Sequence, residues 1–560
     1  MTFEQMKSKA VAERKALEES EKPRIYIGTG TCGRISGAQE ILEGFNAELA
    51  KQKVDASIIE VGCTGCCHLE PVVDIVKKGR SRIRYGRVTP EIMAQLVTDY
   101  IVNDNPRPDL ALGSEGAGKI EGIPDLMKLP MFQPQVRIAL RNCGYIDPMY
   151  IEDYVANGGY SGFVRALGMT PEAVIEEVRK SGLRGRGGAG FPTGDKWRVC
   201  HDAPGNEKYI ICNAHESDPG SLVGRALLEG DPHSVLEGIL IGAYAVGANQ
   251  GDIYVRAEYE LAIARIKAAL KQMGANGLLG NNILGSKFSL NIEVREGASD
   301  FICGEETAMI RAMEGERGMS YPRPPYPAIS GLGGKPTVVN NVETLSDVSA
   351  IFQKSAEWYT GYGTEQSHGT RTFALGGSIM RPGLIEVPMN VTLRQIIYDI
   401  GGGVPDNHDF KAVQTGGPSG GWLPASALDL PVDYENLVTA GSIMGSGCLT
   451  VADSRACMVD LAKNSVSFLE AESCGVCVLC REGTSQMLEI LTDITEGRGK
   501  AEDMELLVEL GEGLKIGSLC GLGKTAANPV LTTLKYFRDE YEAHINNKRC
   551  PAKVCQKLSS

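Results

Sequence analysis

The chain has 560 residues, 42% of them hydrophobic, and a formal net charge of −13; at ~100–200 residues per domain that is material for three to five cores of a soluble protein. The acidic balance excludes a general nucleic-acid binder, which needs a basic surface to neutralise phosphates. The longest apolar run, VLEGILIGAYAVGA from Val235, is too short for a bilayer and carries Glu237, so it reads as a buried helix.

Residues 1–23 are a charged helical pattern without an apolar signal core, which places the chain in the cytoplasm. Over 24–104, RIYIGTGTC reads as a strand, GAQEILEGFNAELAKQ as an amphipathic helix, and DASIIEVGCTGCCHLEPVVDIV as two strands around a cysteine turn. Residues 105–130 are rich in Pro, Gly and charge and read as a linker. Within 131–350, KYIICNA and GDIYVRAEY read as buried strands separated by long helices, which predicts a parallel α/β sheet. Strands, one helix and a glycine turn follow in 351–447, then a mostly helical stretch, 448–546, and a tail, 547–560. The fold class is multidomain α/β.

SGLRGRGGAGFPTGDKW, residues 181–197, concentrates six glycines in one loop. Backbone N–H groups in such a turn, running into a helix start, form an anion nest, and the absent Cβ atoms admit a planar ring or a phosphate. Arg186 and Lys196 set positive charge around it. A flexible linker is the bland alternative, but Phe191, Pro192 and Trp197 are packing residues that linkers rarely carry.

Sixteen cysteines without a secretion signal argue against a disulfide framework. Scattered ones are mostly small buried hydrophobes. Cys474, Cys477 and Cys480 form C-x2-C-x2-C with Cys520 downstream, a triplet plus one remote thiolate that suits a [4Fe–4S] cluster; zinc is the competing reading. Cys457, His544, Cys550 and Cys555 make a zinc set of three thiolates and an imidazole, against the alternative of a frayed terminus with idle thiols.

ESCGVCVLCREGT, the glycine loop, ICGEETAMI, PRPPYPA and GKPTVVNNVET together resemble the NADH-oxidising flavoprotein subunit of respiratory complex I, and LRNCGYIDPMYIEDYVANGGY suggests the B-subunit branch of NAD-linked, electron-bifurcating [FeFe] hydrogenases. The resemblance implies a Rossmann-like FMN and NAD(H) domain, a β-grasp (SLBB) module, and a helical bundle holding the [4Fe–4S] cluster. It implies a cofactor site of Arg186, Gly187, Gly188, Gly190, Phe191, Lys196, Asn213, Glu216, Asp218, Phe301, Gly304, Glu305, Glu306, Tyr326, Asn340, Asn341 and Thr344. NAD(H) would pass a hydride to FMN, and the cluster would take single electrons onward. No side chain is required as a general acid. Residues 24–104 resemble a thioredoxin-like ferredoxin domain in which Cys32, Cys63 and Cys67 match [2Fe–2S] ligands, while Ile27 holds the first ligand position; a cluster-free structural domain is the alternative.

Implied partners are a small [2Fe–2S] subunit of the complex I type and a larger catalytic subunit, a hydrogenase before a formate dehydrogenase. The chain departs from the family where it has His215 for Asp, Phe301 for Tyr, Gly333 for Trp and Val199 for an aromatic. These changes bear on the nucleotide end of the site, and keep open a non-catalytic electron-relay or scaffold subunit.

Overall fold

In the computed structural model, which describes residues 2–116 and 118–558, the strands gather into three five- or four-stranded sheets and the C-terminal part into helices. The first sheet comprises β1 (Arg24–Gly28), β2 (Ser57–Val61), β3 (Val73–Val76), β4 (Arg82–Tyr85) and β5 (Ala111–Glu115), in the order β2-β1-β3-β4-β5. β1 and β2 are parallel, so the chain between them must cross over, and the helix Ala38–Gln52 does so while burying Ile41, Phe45 and Leu49 against Ile25 and Ile27.

The stretch expected as a linker, 105–130, is not one. β5 lies within it, paired antiparallel with β4, and Leu126 joins Met131 and Phe132 in a core shared with Phe373 and Ile385 of the third sheet. Its prolines and glycines mark the turns on either side of a short edge strand, a composition that a linker shares.

The second sheet comprises β6 (Tyr209–Ala214), β7 (Gln250–Arg256), β8 (Asn291–Gly297) and β9 (Thr337–Asn341), all parallel, in the order β8-β7-β6-β9. The apolar run around Val235 is the helix Pro232–Val246, buried on nearly every side. Its one charge is satisfied internally: Glu237 accepts from Tyr154 Oη at 2.5 Å, Phe163 N at 2.9 Å and Gln353 Nε2 at 2.9 Å. The N-terminal helix Phe3–Glu19, closed by a capping box between Thr2 and Gln5, packs Phe3, Met6 and Ala10 into this domain's core rather than onto the first sheet.

The third sheet comprises β10 (Thr370–Gly377), β11 (Gly383–Pro388), β12 (Phe410–Thr415), β13 (Trp422–Pro424) and β14 (Cys448–Asp453), in the order β11-β10-β14-β12-β13. β14 is its middle strand, so the boundary expected at 447 shifts beyond Asp453; long-range pairing of this kind leaves no local trace. Helices from Met458 onward complete the chain and share a core with Tyr254, Ile302 and Met309 of the second domain. Among the described residues no helix is long and apolar enough to cross a membrane.

Candidate functional site

The glycine loop closes on itself before it meets anything else. Gly185 N donates to Phe191 O at 2.9 Å and Thr193 N to Leu183 O at 2.9 Å, drawing the loop into a narrow turn that ends in the helix Thr193–Asp202. That helix has no side-chain N-cap, and its first amide, Thr193 N, is the one taken by Leu183 O. Gly188 and Gly190 have φ of +119° and +64°, conformations costly for any residue with a Cβ. At Gly188 an added Cβ would lie 3.3 Å from the backbone of Gly445, and at Gly190 it would lie 2.6 Å from the Tyr434 ring. Gly187 differs: its nearest neighbour would be Asn341 Cβ at 3.5 Å, so the protein leaves that side of the loop open.

Arg186 does not supply the positive charge expected of it. Its side chain is fully buried, donates to Tyr359 Oη at 2.7 Å and His368 O at 2.9 Å, and lies 3.4 Å from Asp347. The guanidinium braces the loop from beneath, and Arg186 N donates to Thr344 Oγ1 at 2.8 Å. Lys196 is the cation that remains at the site, shared between Glu306 Oε2 and Val339 O, each 3.2 Å away.

Around the loop stand the carboxyl ends of parallel strands, the place where open α/β sheets bind ligands. Asn213 and Asn341 are paired neighbours at the ends of β6 and β9. Asn213 Nδ2 donates to Gly304 O at 2.8 Å, Asn340 Oδ1 accepts from Trp197 Nε1 at 2.8 Å, and Asn341 caps the following helix through Glu343 N. Glu305 caps the helix Glu306–Met313 and accepts from Ser320 Oγ at 3.0 Å, while Glu306 also accepts from Arg323 at 3.1 Å. Glu216 is occupied by Ser221 and by the amides of Gly224 and Arg225. Asp218 is held by the Ser446 hydroxyl, and burial pushes its carboxyl up to about 6. Phe191 and Tyr326 are exposed at the rim.

Two of the departures from the family acquire a structural setting. The His215 ring stacks on Tyr254 with centroids 5.6 Å apart, its Nε2 lies 2.6 Å from Ala298 O, and its Nδ1 has no partner among the described residues. Burial lowers its pKa, so a neutral imidazole stands beside Gly304. Phe301 packs edge-on against Phe468 at 5.3 Å and its N–H donates to Glu472, so it joins the second domain to the C-terminal helices.

The four thiols of Cys474, Cys477, Cys480 and Cys520 lie in one core. Gly475, at φ +77°, turns the chain between the first two; Cys477 stands at the N-cap position of the helix Val478–Thr495 and Cys520 at that of Gly521–Thr525, neither side chain spent on a capping bond. Leu519 N donates to Cys477 Sγ at 3.3 Å, joining the remote cysteine's segment to the triplet. Burial raises the Cys480 thiol, with Cys520, Cys477 and Cys474 adding to the rise as close neighbours. Burial raises the Cys520 thiol, with the nearby Ser320 hydroxyl lowering it and the Glu305 carboxylate adding to the rise; Ser320 donates to Glu305, so the thiol cluster and the carboxylates beside the glycine loop share one wall. Arg323 lies within PRPPYPA and Ser320 two residues before it, and neither carries a ligand signal of its own in the sequence.

Two further cysteine groups are assembled. Cys457 Sγ, His544 Nε2 and Cys555 Sγ lie 3.4–3.8 Å apart, and with Cys550 their ligand atoms all fall within 4.8 Å, buried. His544 Nδ1 is 2.7 Å from Glu540 O, which orients the ring with Nε2 toward the thiols. Cys32, Cys63 and Cys67 line one cavity, where the neighbouring Cys67, helped by Arg225, pulls the Cys32 thiol below its usual range. Ile27 is in the core of the first sheet, and Cys66 is buried in the other core with Val72 and Phe373, so neither faces that cavity.

Residues 178–350 match the Nuo51 FMN-binding domain, and residues 460–544 the NADH-ubiquinone oxidoreductase-F iron-sulfur binding region. The NADP-reducing hydrogenase subunit HndC of Solidesulfovibrio fructosivorans is 53% identical over 424 residues, 76% of this chain and 86% of the relative. An F subunit of the NADH-quinone oxidoreductase of Rhizobium meliloti is 42% identical over 422 residues, 75% of this chain and all of the relative. A crystal structure of an NAD+-reducing [NiFe]-hydrogenase in the H2-reduced state is similar at 27% identity and a TM-score of 0.66, covering 96% of this chain and 87% of the other.

Proposed function

Because the chain belongs to the family of flavoprotein subunits found in NADH-quinone oxidoreductases and NAD(P)-reducing hydrogenases, we propose that it meets NAD(H) at the glycine loop and delivers electrons toward the four clustered thiols. It is an electron-transferring, diaphorase-type subunit of an oxidoreductase complex, with an FMN-binding domain and a [4Fe–4S] region. The observation that carries the reading is the shared wall: Glu305 beside the loop, Ser320 bonded to it, and the Cys520 thiol close to both.

The residues fit the groups they would hold. Gly187 leaves bare backbone for a flat ring, Lys196 offers a cation for a phosphate, and the strand-end amides of Asn213, Asn340 and Asn341 surround them. FMN, when bound, converts between a two-electron hydride and the single electrons that an iron–sulfur cluster accepts. This chain's own work is orientation. Glu305 and Glu306 hold the helix start opposite Lys196, Arg186 keeps the loop rigid from below, and the neutral His215 places no charge beside Gly304.

Finer readings go with this. The order β2-β1-β3-β4 with one parallel pair supports a thioredoxin-like first domain, and the third sheet with its short helical turn supports an SLBB β-grasp. A [2Fe–2S] centre belongs to Cys32, Cys63 and Cys67, and zinc to Cys457, His544, Cys550 and Cys555, whose buried donors match a three-thiolate, one-imidazole site. The partners are a small [2Fe–2S] subunit and a catalytic subunit of the [FeFe] hydrogenase type, in a cytoplasmic complex able to bifurcate electrons. Exposed Val476, Val478, Leu479 and Ile516 around the four thiols supply an apolar surface for the acceptor.

Anaerobic titration tests the reading: the purified chain carries FMN and is bleached by NADH. Flavin-free protein with an intact cluster spectrum would overturn it in favour of a passive relay.

A further inference from the structure

The cavity between the first sheet and the helix Val223–Gly230 contains more than its three cysteines. Thr31, Arg225 and Glu229 line it beside Cys32, Cys63 and Cys67, and Arg225 and Glu229 come from the flavin-side domain, almost two hundred residues away along the chain. Cys67 lines the cavity with both other thiols. Arg225 Nη2 donates to Cys32 Sγ at 3.6 Å. The Glu229 carboxylate is 2% exposed, accepts from Thr31 N at 2.8 Å and from the Thr31 hydroxyl, and lies 3.9 Å from Arg225 Nε. Gly30 lets it approach the thiols: a Cβ there would stand 3.2 Å from Glu229 Oε2 and 3.8 Å from Cys63 Cβ.

A [2Fe–2S] centre needs four ligands. Three thiols face this cavity, Ile27 and Cys66 are committed to cores elsewhere, and the remaining anionic donor in the lining is Glu229. Glu70 is half-buried nearby, but it lies beyond Gly28 and Gly33, accepts from Val72 N, and does not line the cavity. We propose that Glu229 is the fourth ligand, so that a [2Fe–2S] centre in this chain is held by three thiolates of one domain and a carboxylate of another. A carboxylate oxygen is a competent ligand for iron, and it supplies the negative charge that a cysteine at position 27 would have carried. Arg225 then donates to the Cys32 sulfur, an interaction of the kind that tunes cluster potentials. The centre would tie the first domain to the flavin-side domain, since neither holds a complete ligand set.

This inference rests on the [2Fe–2S] reading above, and the experiment separates the two. The full chain, purified anaerobically and reconstituted with iron and sulfide, is analysed for iron, acid-labile sulfide and the EPR spectrum of the dithionite-reduced state. Wild type should hold about six irons, four in one cluster and two in the other. Glu229→Ala should lose the two-iron signal and keep the four-iron signal, which also reports that the chain has folded. Glu229→Cys should keep about six irons with g values moved toward those of an all-thiolate cluster, and Glu70→Gln should match wild type. A wild-type chain with four irons and no two-iron signal overturns both readings. About six irons with unchanged g values in Glu229→Ala or Glu229→Cys overturns the carboxylate ligand alone.

Discussion

Gly187 offers a clean measure of how close the flavin comes to the backbone. Its φ is outside the left-handed region, and an added Cβ would meet only Asn341 Cβ, at an ordinary 3.5 Å. The apoprotein should therefore accept Gly187→Ala, with stability unchanged or raised by about 0.4–1 kcal/mol through the lost freedom of the unfolded chain. In the holoprotein the methyl projects into space assigned to the ring, and overpacking of one methyl costs about 1–3 kcal/mol. That is a loss of FMN affinity of about 5- to 150-fold, at about 1.4 kcal/mol per decade. Quenching of flavin fluorescence on titration into apoprotein gives the affinity, and thermal unfolding of the same apoprotein gives the control. Gly188→Ala and Gly190→Ala should fail in both assays, because each places a Cβ at positive φ and against Gly445 or the Tyr434 ring. Should Gly187→Ala bind FMN within about twofold of wild type while its unfolding is unchanged, the flavin does not lie against residue 187 and the placement is wrong.

Cys520→Ser should remove the four-iron cluster and leave FMN bound, so that flavin reduced by NADH stays reduced when a one-electron acceptor is added; prompt reoxidation would show that electrons leave by another route. Cys457→Ser and Cys555→Ser should each release one zinc per chain and lower the unfolding temperature, whereas Cys200→Ser, a buried thiol with no such neighbours, should release none; elemental analysis decides. His233 is fully buried against Tyr160 Oη at 2.7 Å, and burial pulls it from 6.5 down to about 4. Because its folded pKa is depressed, the unfolded chain takes the proton first, so the stabilisation is complete above pH 6.5 and is lost as pH falls toward 4, by about 3 kcal/mol. The unfolding temperature of His233→Gln should fall less steeply than wild type over that window; parallel slopes would refute the assignment.

Local signals carried far in this chain where the chemistry was local. The C-x2-C-x2-C triplet, the six-glycine loop and the apolar helix at Val235 are each read within twenty residues, because turns, caps and hydrophobic periodicity are properties of neighbouring residues. The proposed zinc donors could be assembled on paper from residue type alone, and they meet in space at Cys457, His544, Cys550 and Cys555. What depended on contacts between distant segments was not legible. β5 hid in a stretch with a linker's composition, and β14 was assigned to the helices although it lies at the centre of the third sheet. The same limit applies to charge. Arg186 in a glycine loop looks like a phosphate ligand until Asp347, Tyr359 and His368 are seen to take its guanidinium inward. Glu229 reads as one more acid in a helix until docking of two domains sets it beside three thiols. Sequence alone determined which donors and turns this protein possesses; only the packing of its domains decided which of them face one another, because a side chain's partner is selected by burial and the direction of its Cβ, and neither is a property of neighbours along the chain.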